Sequence, residues 1–379
     1  MTSDPHPIED FTIDVPDSVL DDLKERLGRT RWPDPEPVED WSQGTPLAYL
    51  QEVCRHWEQD YDWRSREASL NRFSHHRTEV DGLGIHFIHQ RSKHENARPL
   101  LITHGWPGSV VEFHQVIEPL VDPESHGGTA ADAFHVVCPS LPGYGFSDSP
   151  TEPGWGAERI ADAWVELMAR LGYDRFGAQG GDWGALITTT LAHRHSESLA
   201  GIHLNMAIAV PTADDPTEAE LAALAALDHY QTQESGYSKQ QSTRPQSLGY
   251  GLADSPAGQA GWILEKFWAW TDNQGSPEDA VELDVILDNI MLYWVTNKGA
   301  SSARLYWESF DTPSLDEIAV PTGVALFPHE IFKTSERWAR SRFTDLRQFT
   351  EMPAGGHFAA LEQPERLVDD IRSFFALVD

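Results

Sequence analysis

The stretch AQGGDWGALI, residues 178–187, sets Asp182 between Gly180 and Gly184. Glycine-x-acid-x-glycine is the frame in which a nucleophile sits on a strained strand-to-helix turn, where a Cβ at either flank would find no room. A helix beginning at the acid would aim its free N–H groups and positive dipole end at the carboxylate. Aspartate is also a common N-cap, so the frame alone leaves nucleophile and cap as equal readings. The chemistry would be distinctive. A carboxylate attacking carbon forms an ester whose carbonyl belongs to the protein, and water can reopen that ester.

The surroundings favour the nucleophile. HGWPGS, residues 104–109, follows the strand-like PLLIT and resembles the His-Gly loop that supplies an oxyanion donor in α/β-hydrolases. The donors would be the backbone N–H groups of Trp106 and of Trp183, the residue after the acid. PSLPGYGFSDSP, residues 139–150, adds a Gly/Pro-rich loop after the next strand-like run. AGGHFAALEQPE places His357 in a glycine loop before the last helix, and GVALFPHEI places Glu330 just past a strand. Asp182, Glu330, His357 is the order nucleophile, acid, base. His329, beside Glu330, reads as a surface neighbour.

Metal and nucleotide chemistry find no support. His193 and His195 are two apart on a helix and face different ways, and His75 and His76 are adjacent. None of the 17 histidines forms an i, i+4 pair around a carboxylate. There is no phosphate-cradling GxxxxGK[ST] loop and no GxGxxG after a strand, so neither cofactor nor metal is expected.

Elements able to position these residues are visible in the hydrophobic pattern. IHFIHQ, PLLITHG, FHVVCPSL, RFGAQG and LAGIHLN have strand length and alternate with helical stretches such as AERIADAWVELMARLG, which ends on Gly172. That alternation predicts an α/β fold with a mostly parallel sheet flanked by helices. It stops near residue 205. Residues 206–312 read as helical, and strands resume with PTGVALFP and LRQFTEMP before the closing helix QPERLVDDIRSFFALV. The organisation is then an N-terminal extension over 1–95, core over 96–205, a helical lid over 206–312 above the strand ends, and core again over 313–379. Within the extension, PDSVLDDLKERLGR predicts a helix opened by an Asp-Ser cap pair.

The bulk numbers narrow the class. The 379 residues carry 60 acidic and 28 basic side chains, a net charge of −32. Such a field repels phosphate backbones and anionic lipid, so no nucleic-acid partner is expected. Mean hydropathy is −0.44. No run of about 18 apolar residues is present to span a membrane. MTSDPHPIEDF lacks the basic-then-apolar order of a secretory signal, and the two cysteines, Cys54 and Cys138, stand far apart. A cytoplasmic protein without a membrane anchor is expected. A homodimer is left open.

With these residues in view, nearly the whole chain resembles the microsomal-type epoxide hydrolases, α/β-hydrolase-fold enzymes with an extra N-terminal segment. The resemblance rests on RLGRTRWPD, YDWRSREASLNRF, HGWPGS, GGDWG, STRPQSLGYGLADSPAGQAGWILEKF, SSARLYWES, FPHE and GGHFAALEQPE. It implies Asp182 as nucleophile, His357 as base, Glu330 as its charge partner, and two lid tyrosines that polarise the epoxide oxygen. Tyr306 of SSARLYWES matches one of these and Tyr237 of ESGYSKQQSTRP the other, with Tyr250 as competitor to Tyr237 and Tyr293 as a weaker one. The reaction implied is an apolar epoxide plus water to a vicinal diol. An epoxide carbon is saturated, so a serine would be left as a dead ether, whereas an aspartyl ester can be hydrolysed. A haloalkane dehalogenase would share the fold and the Asp nucleophile and could use Trp183 to hold halide, but needs neither the tyrosine pair nor the N-terminal segment. A non-catalytic hydrolase-like binding protein would require a broken triad.

Overall fold

The computed structural model describes residues 7–211, 215–309 and 314–378. Among them nine strands form one sheet: β1 (Glu9–Phe11), β2 (His75–Val80), β3 (Leu83–Gln90), β4 (Arg98–Thr103), β5 (Phe134–Pro139), β6 (Phe176–Gly180), β7 (Leu199–Leu204), β8 (Thr322–Leu326) and β9 (Leu346–Glu351). Their order is β1-β2-β3-β5-β4-β6-β7-β8-β9. From β5 to β9 every neighbour runs parallel, while β1, β2 and β3 join as an antiparallel edge on β5. The chain therefore has an α/β-hydrolase fold.

Parallel strands are covered by helices on both faces, which is why β5 and β6 are buried at every residue rather than at alternate ones. The helix Ala157–Arg170 lays Ile160, Ala161, Trp164, Leu167 and Met168 against that sheet, a stripe at the helical period. It stops before Gly172, which takes φ 84, a left-handed value that favours glycine.

One expected detail is different. The helix Asp17–Gly28 is not opened by an Asp-Ser cap; its N-cap is Pro16, with no side-chain cap bond. The proline ring presets φ at −57 and leads the chain into the helix. Asp17 is left as a first-turn acid and pairs with Arg64.

Residues 1–95 contribute β1, β2 and β3 to the sheet, and their helices pack on the helical region that follows β7. There Trp57 Nε1–H donates to Met291 Sδ at 3.2 Å, Tyr61 Oη–H to Asp288 Oδ1 at 2.7 Å, and Arg66 Nε–H to the same oxygen at 2.8 Å. Between β7 and β8 the described residues hold helices and no strand, the longest being Pro256–Trp270 and Leu283–Val295. The opening MTSDPH, residues 212–214, residues 310–313, where the lid was expected to end, and residue 379 lie outside the described residues. No helix among the described residues is long and apolar enough to cross a membrane.

Candidate active site

β6 ends at Gly180 and the helix Asp182–Arg194 starts two residues later, with Asp182 at φ 50. A non-glycine residue in that left-handed region costs about 1–2 kcal/mol. Close packing makes the turn possible. A Cβ on Gly184 would lie 1.8 Å from the carbonyl oxygen of Thr103 at the end of β4, and one on Gly105 would lie 2.2 Å from Asp182 Oδ1. Glycine at these positions lets the β4 loop close onto the acid.

The loop delivers a donor. Trp106 N–H donates to Asp182 Oδ1 at 2.8 Å. Trp183 lies in the first helical turn, whose N–H groups have no intrahelical acceptor. The loop is held from the lid side: Tyr293 Oη–H donates to Gly108 O and Asn289 Nδ2–H to Pro107 O, each at 2.7 Å. His104 donates from Nδ1 to Gly105 O and accepts from Leu141 N–H at Nε2, so both ring nitrogens are used. Burial pulls its pKa down to about 4, so the ring is a neutral strut.

His357 reaches the acid from the loop after β9. Its backbone N–H donates to Trp270 O at 2.8 Å, and its ring lies edge-on to the Trp270 indole. Nδ1 is 2.7 Å from Glu330 Oε1 and Nε2 is 3.3 Å from Asp182 Oδ2. Glu330 Oε1 also accepts the N–H of Ile331 at 2.7 Å, which orients the carboxylate. Burial opposes charging of His357, yet Glu330 and Asp182 together outweigh it and raise its pKa well above the ordinary histidine range. His329 bonds Asp272 at 3.1 Å and stays half exposed, away from the acid.

Tyr237, on the helix Gly236–Thr243, and Tyr306, on Gly299–Ser309, are both buried above this group. Tyr237 stacks on Trp106 with ring centroids 5.1 Å apart, and Tyr306 stands edge-on to Trp183 at 4.8 Å. The two phenol rings are 5.8 Å from one another. Burial first, then a neighbouring phenol (Tyr230 for Tyr237, Tyr237 for Tyr306) and Asp182, push both hydroxyls well above the usual phenol range, so they are neutral donors. The fold separates the competitors: Tyr250 is 70% exposed, and Tyr293 is committed to Gly108 O.

Two residues here escape a reading of the sequence. Tyr230 Oη lies 2.9 Å from Tyr237 Oη, and the buried Lys266 ammonium lies 4.5 Å from the centre of the Tyr237 ring. A cation on that π face draws density from the phenol and strengthens its O–H as a donor. Nothing local marks Tyr230 or Lys266, because each acquires its place only when the lid helices pack.

Residues 8–113 match the family model described as epoxide hydrolase N terminus, and residues 98–247 match that of the alpha/beta hydrolase fold. A putative epoxide hydrolase of Stigmatella aurantiaca is 56% identical over 97% of this chain and 84% of its own length. Epoxide hydrolase 1 of Sus scrofa is 36% identical over 98% of this chain and 89% of its own. Among solved structures, the epoxide hydrolase of Aspergillus niger superposes with a TM-score of 0.89 at 32% identity, covering 98% of this chain and 97% of that one. The juvenile hormone epoxide hydrolase of the silkworm Bombyx mori gives 0.86 at 34% identity, covering 98% and 94%.

Proposed function

The chain belongs to the epoxide hydrolases, enzymes that add water to an epoxide, and on that premise we propose that Asp182 carries the reaction through a covalent ester. The supporting observation is one connected group: Trp106 N–H on Asp182, Asp182 against His357, and His357 on Glu330, with two phenols overhead.

Asp182 Oδ2 attacks a ring carbon while Oδ1 stays in the Trp106 amide and becomes the ester carbonyl oxygen. The departing ring oxygen develops alkoxide charge, a poor leaving group at neutral pH. Tyr237 and Tyr306 hydrogen-bond it and one of them gives up its proton. Esterification removes the negative charge of Asp182, and with it one of the two supports of the His357 imidazolium. Its proton then returns to the tyrosine, leaving a neutral base oriented by Glu330. His357 takes a proton from water, the hydroxide oxygen bonds to the acyl carbon, and the Trp106 and Trp183 amides hold the oxyanion. Collapse breaks the ester bond, the leaving alkoxide takes the proton from His357 as the diol departs, and the second proton of the water passes from the Asp182 acid to His357, restoring carboxylate and imidazolium.

Trp106, Trp183 and Trp270 make the surroundings of the acid apolar, which fits an aryl or alkyl epoxide. The buried free thiols Cys54 and Cys138 fit a cytoplasmic enzyme. A single turnover in ¹⁸O-labelled water tests the ester directly. Label should enter the Asp182 carboxyl group; label passing straight to the diol with the protein unlabelled defeats the reading.

A further inference from the structure

Asp182 and His357 also border a second space, whose lining excludes both lid tyrosines and includes Glu112, Gln179 and Asn205. It measures about 20 Å³, and a cavity needs roughly 10–15 Å³ to hold one water. The space is polar. Gln179 Nε2–H donates to Asn205 Oδ1 at 2.8 Å, which orients the Asn205 amide so that Nδ2 is its remaining donor. That nitrogen sits beside the residue preceding the nucleophile: a Cβ on Gly181 would fall 2.5 Å from it.

Glu112 comes from the short 3₁₀ turn Val110–Gln115, just past the oxyanion loop. Its carboxyl lies over Gly108, where a Cβ would stand 1.5 Å from Oε1, so the glycine leaves it room. Burial raises its pKa to about 8; His357 opposes that shift and Asp182 adds to it, which places the carboxyl in the field of both. Ser109-x-x-Glu112 is also the spacing of a capping box, with Glu112 accepting from Ser109 N–H. One such bond leaves most of the carboxyl's lone pairs free.

We infer that this space holds the hydrolytic water, and that Glu112 together with Asn205 positions it between His357 Nε2 and the acyl carbon of Asp182. The inference rests on the aspartyl-ester reading. His357 removes one proton of the water; Glu112 only accepts a hydrogen bond from the other O–H, and Asn205 donates to the oxygen. No proton passes to Glu112. Substrate therefore enters on the tyrosine side and water waits on the opposite side of the acid.

Rapid-quench intact-mass measurement with styrene oxide separates ester formation from ester hydrolysis. In Glu112→Ala, formation should stay within about twofold of wild type while hydrolysis slows about 5- to 100-fold, the cost of one buried hydrogen bond left unmade. Glu112→Gln keeps an acceptor oxygen and should hydrolyse the ester within a few-fold of wild type. Glu112→Leu keeps the bulk but offers the water no oxygen, and should accumulate ester with a melting temperature like that of wild type. Wild-type hydrolysis in Glu112→Leu, or parallel loss of both steps, overturns the role of Glu112. Should Glu112→Ala fail to fold, Glu112→Leu decides alone. Absence of ester in wild type and variants alike would instead overturn the covalent mechanism, and the water site with it.

Discussion

Replacing His357 with glutamine should split the reaction into a step that survives and one that does not. Ester formation depends on Asp182, its 2.8 Å bond from Trp106 and the two phenols, of which the substitution alters only the His357 side of Asp182. Hydrolysis depends on the nitrogen 3.3 Å from Asp182 Oδ2, and an amide there has no basic lone pair. A positioned general base contributes 10²- to 10⁴-fold, or about 2.7–5.4 kcal/mol at about 1.36 per decade. Glutamine can still donate to Glu330. Were that donor lost, stranding the buried carboxylate would cost about 3–5 kcal/mol, so a melting curve belongs beside the kinetics. Mixing with styrene oxide, quenching and weighing the intact chain should reveal one epoxide-sized increment per molecule, formed quickly and lost slowly. A variant that turns over at the wild-type rate and carries no increment shows that His357 is not the base.

Tyr306→Phe removes one donor to the developing alkoxide and should lower kcat/KM about 10²-fold, with the Tyr237→Phe/Tyr306→Phe pair far lower; steady-state rates on one epoxide check both. A Tyr306→Phe enzyme at full rate would remove that residue from the chemistry. Gly184→Ala drives a methyl against the fixed Thr103 carbonyl and should cost on the order of 3 kcal/mol, read from urea unfolding of the purified variant. Acid should destabilise the fold early. Burial holds His104 and His89 near pKa 4 and His114 near 3, while the unfolded chain titrates near 6.5. As pH falls below 6.5 the unfolded state binds protons first, so stability is lost from there down to the folded values. His104 alone accounts for about 2 kcal/mol by pH 5. An unfolding free energy that stays flat between pH 7 and 5 contradicts this.

How legible the molecule is in its sequence depends on whether a residue's role is local. The runs that become β4 to β8 are largely apolar because helices cover them, so they stand out. β2 does not: HHRTEV carries two histidines and two charges, and it becomes a strand by pairing with β1 and β3. Asp182 and His357 are legible because each lies in a glycine-rich turn next to a strand, and Glu330 because it follows the end of β8 in the chain order between them. Lid residues are less so. Tyr237 and Tyr250 lie on successive short helices with nothing in their neighbours to rank them, and the packing of those helices buries one and exposes the other. Glu112 reads as a capping residue because its distance from His357 is set by β4 and β9 together.

The lid is tied down on opposite sides. Its last long helix is bonded to the N-terminal segment through Asp288 and Met291 and to the oxyanion loop through Tyr293 and Asn289, while Trp270 O holds the backbone of His357. Swinging such a cover open would drag the imidazole and the Trp106 amide out of register with the acid. Among the described residues, cover and acid thus form one mechanical unit, so a substitution that loosens the roof should detune the acid's partners even when it touches none of them.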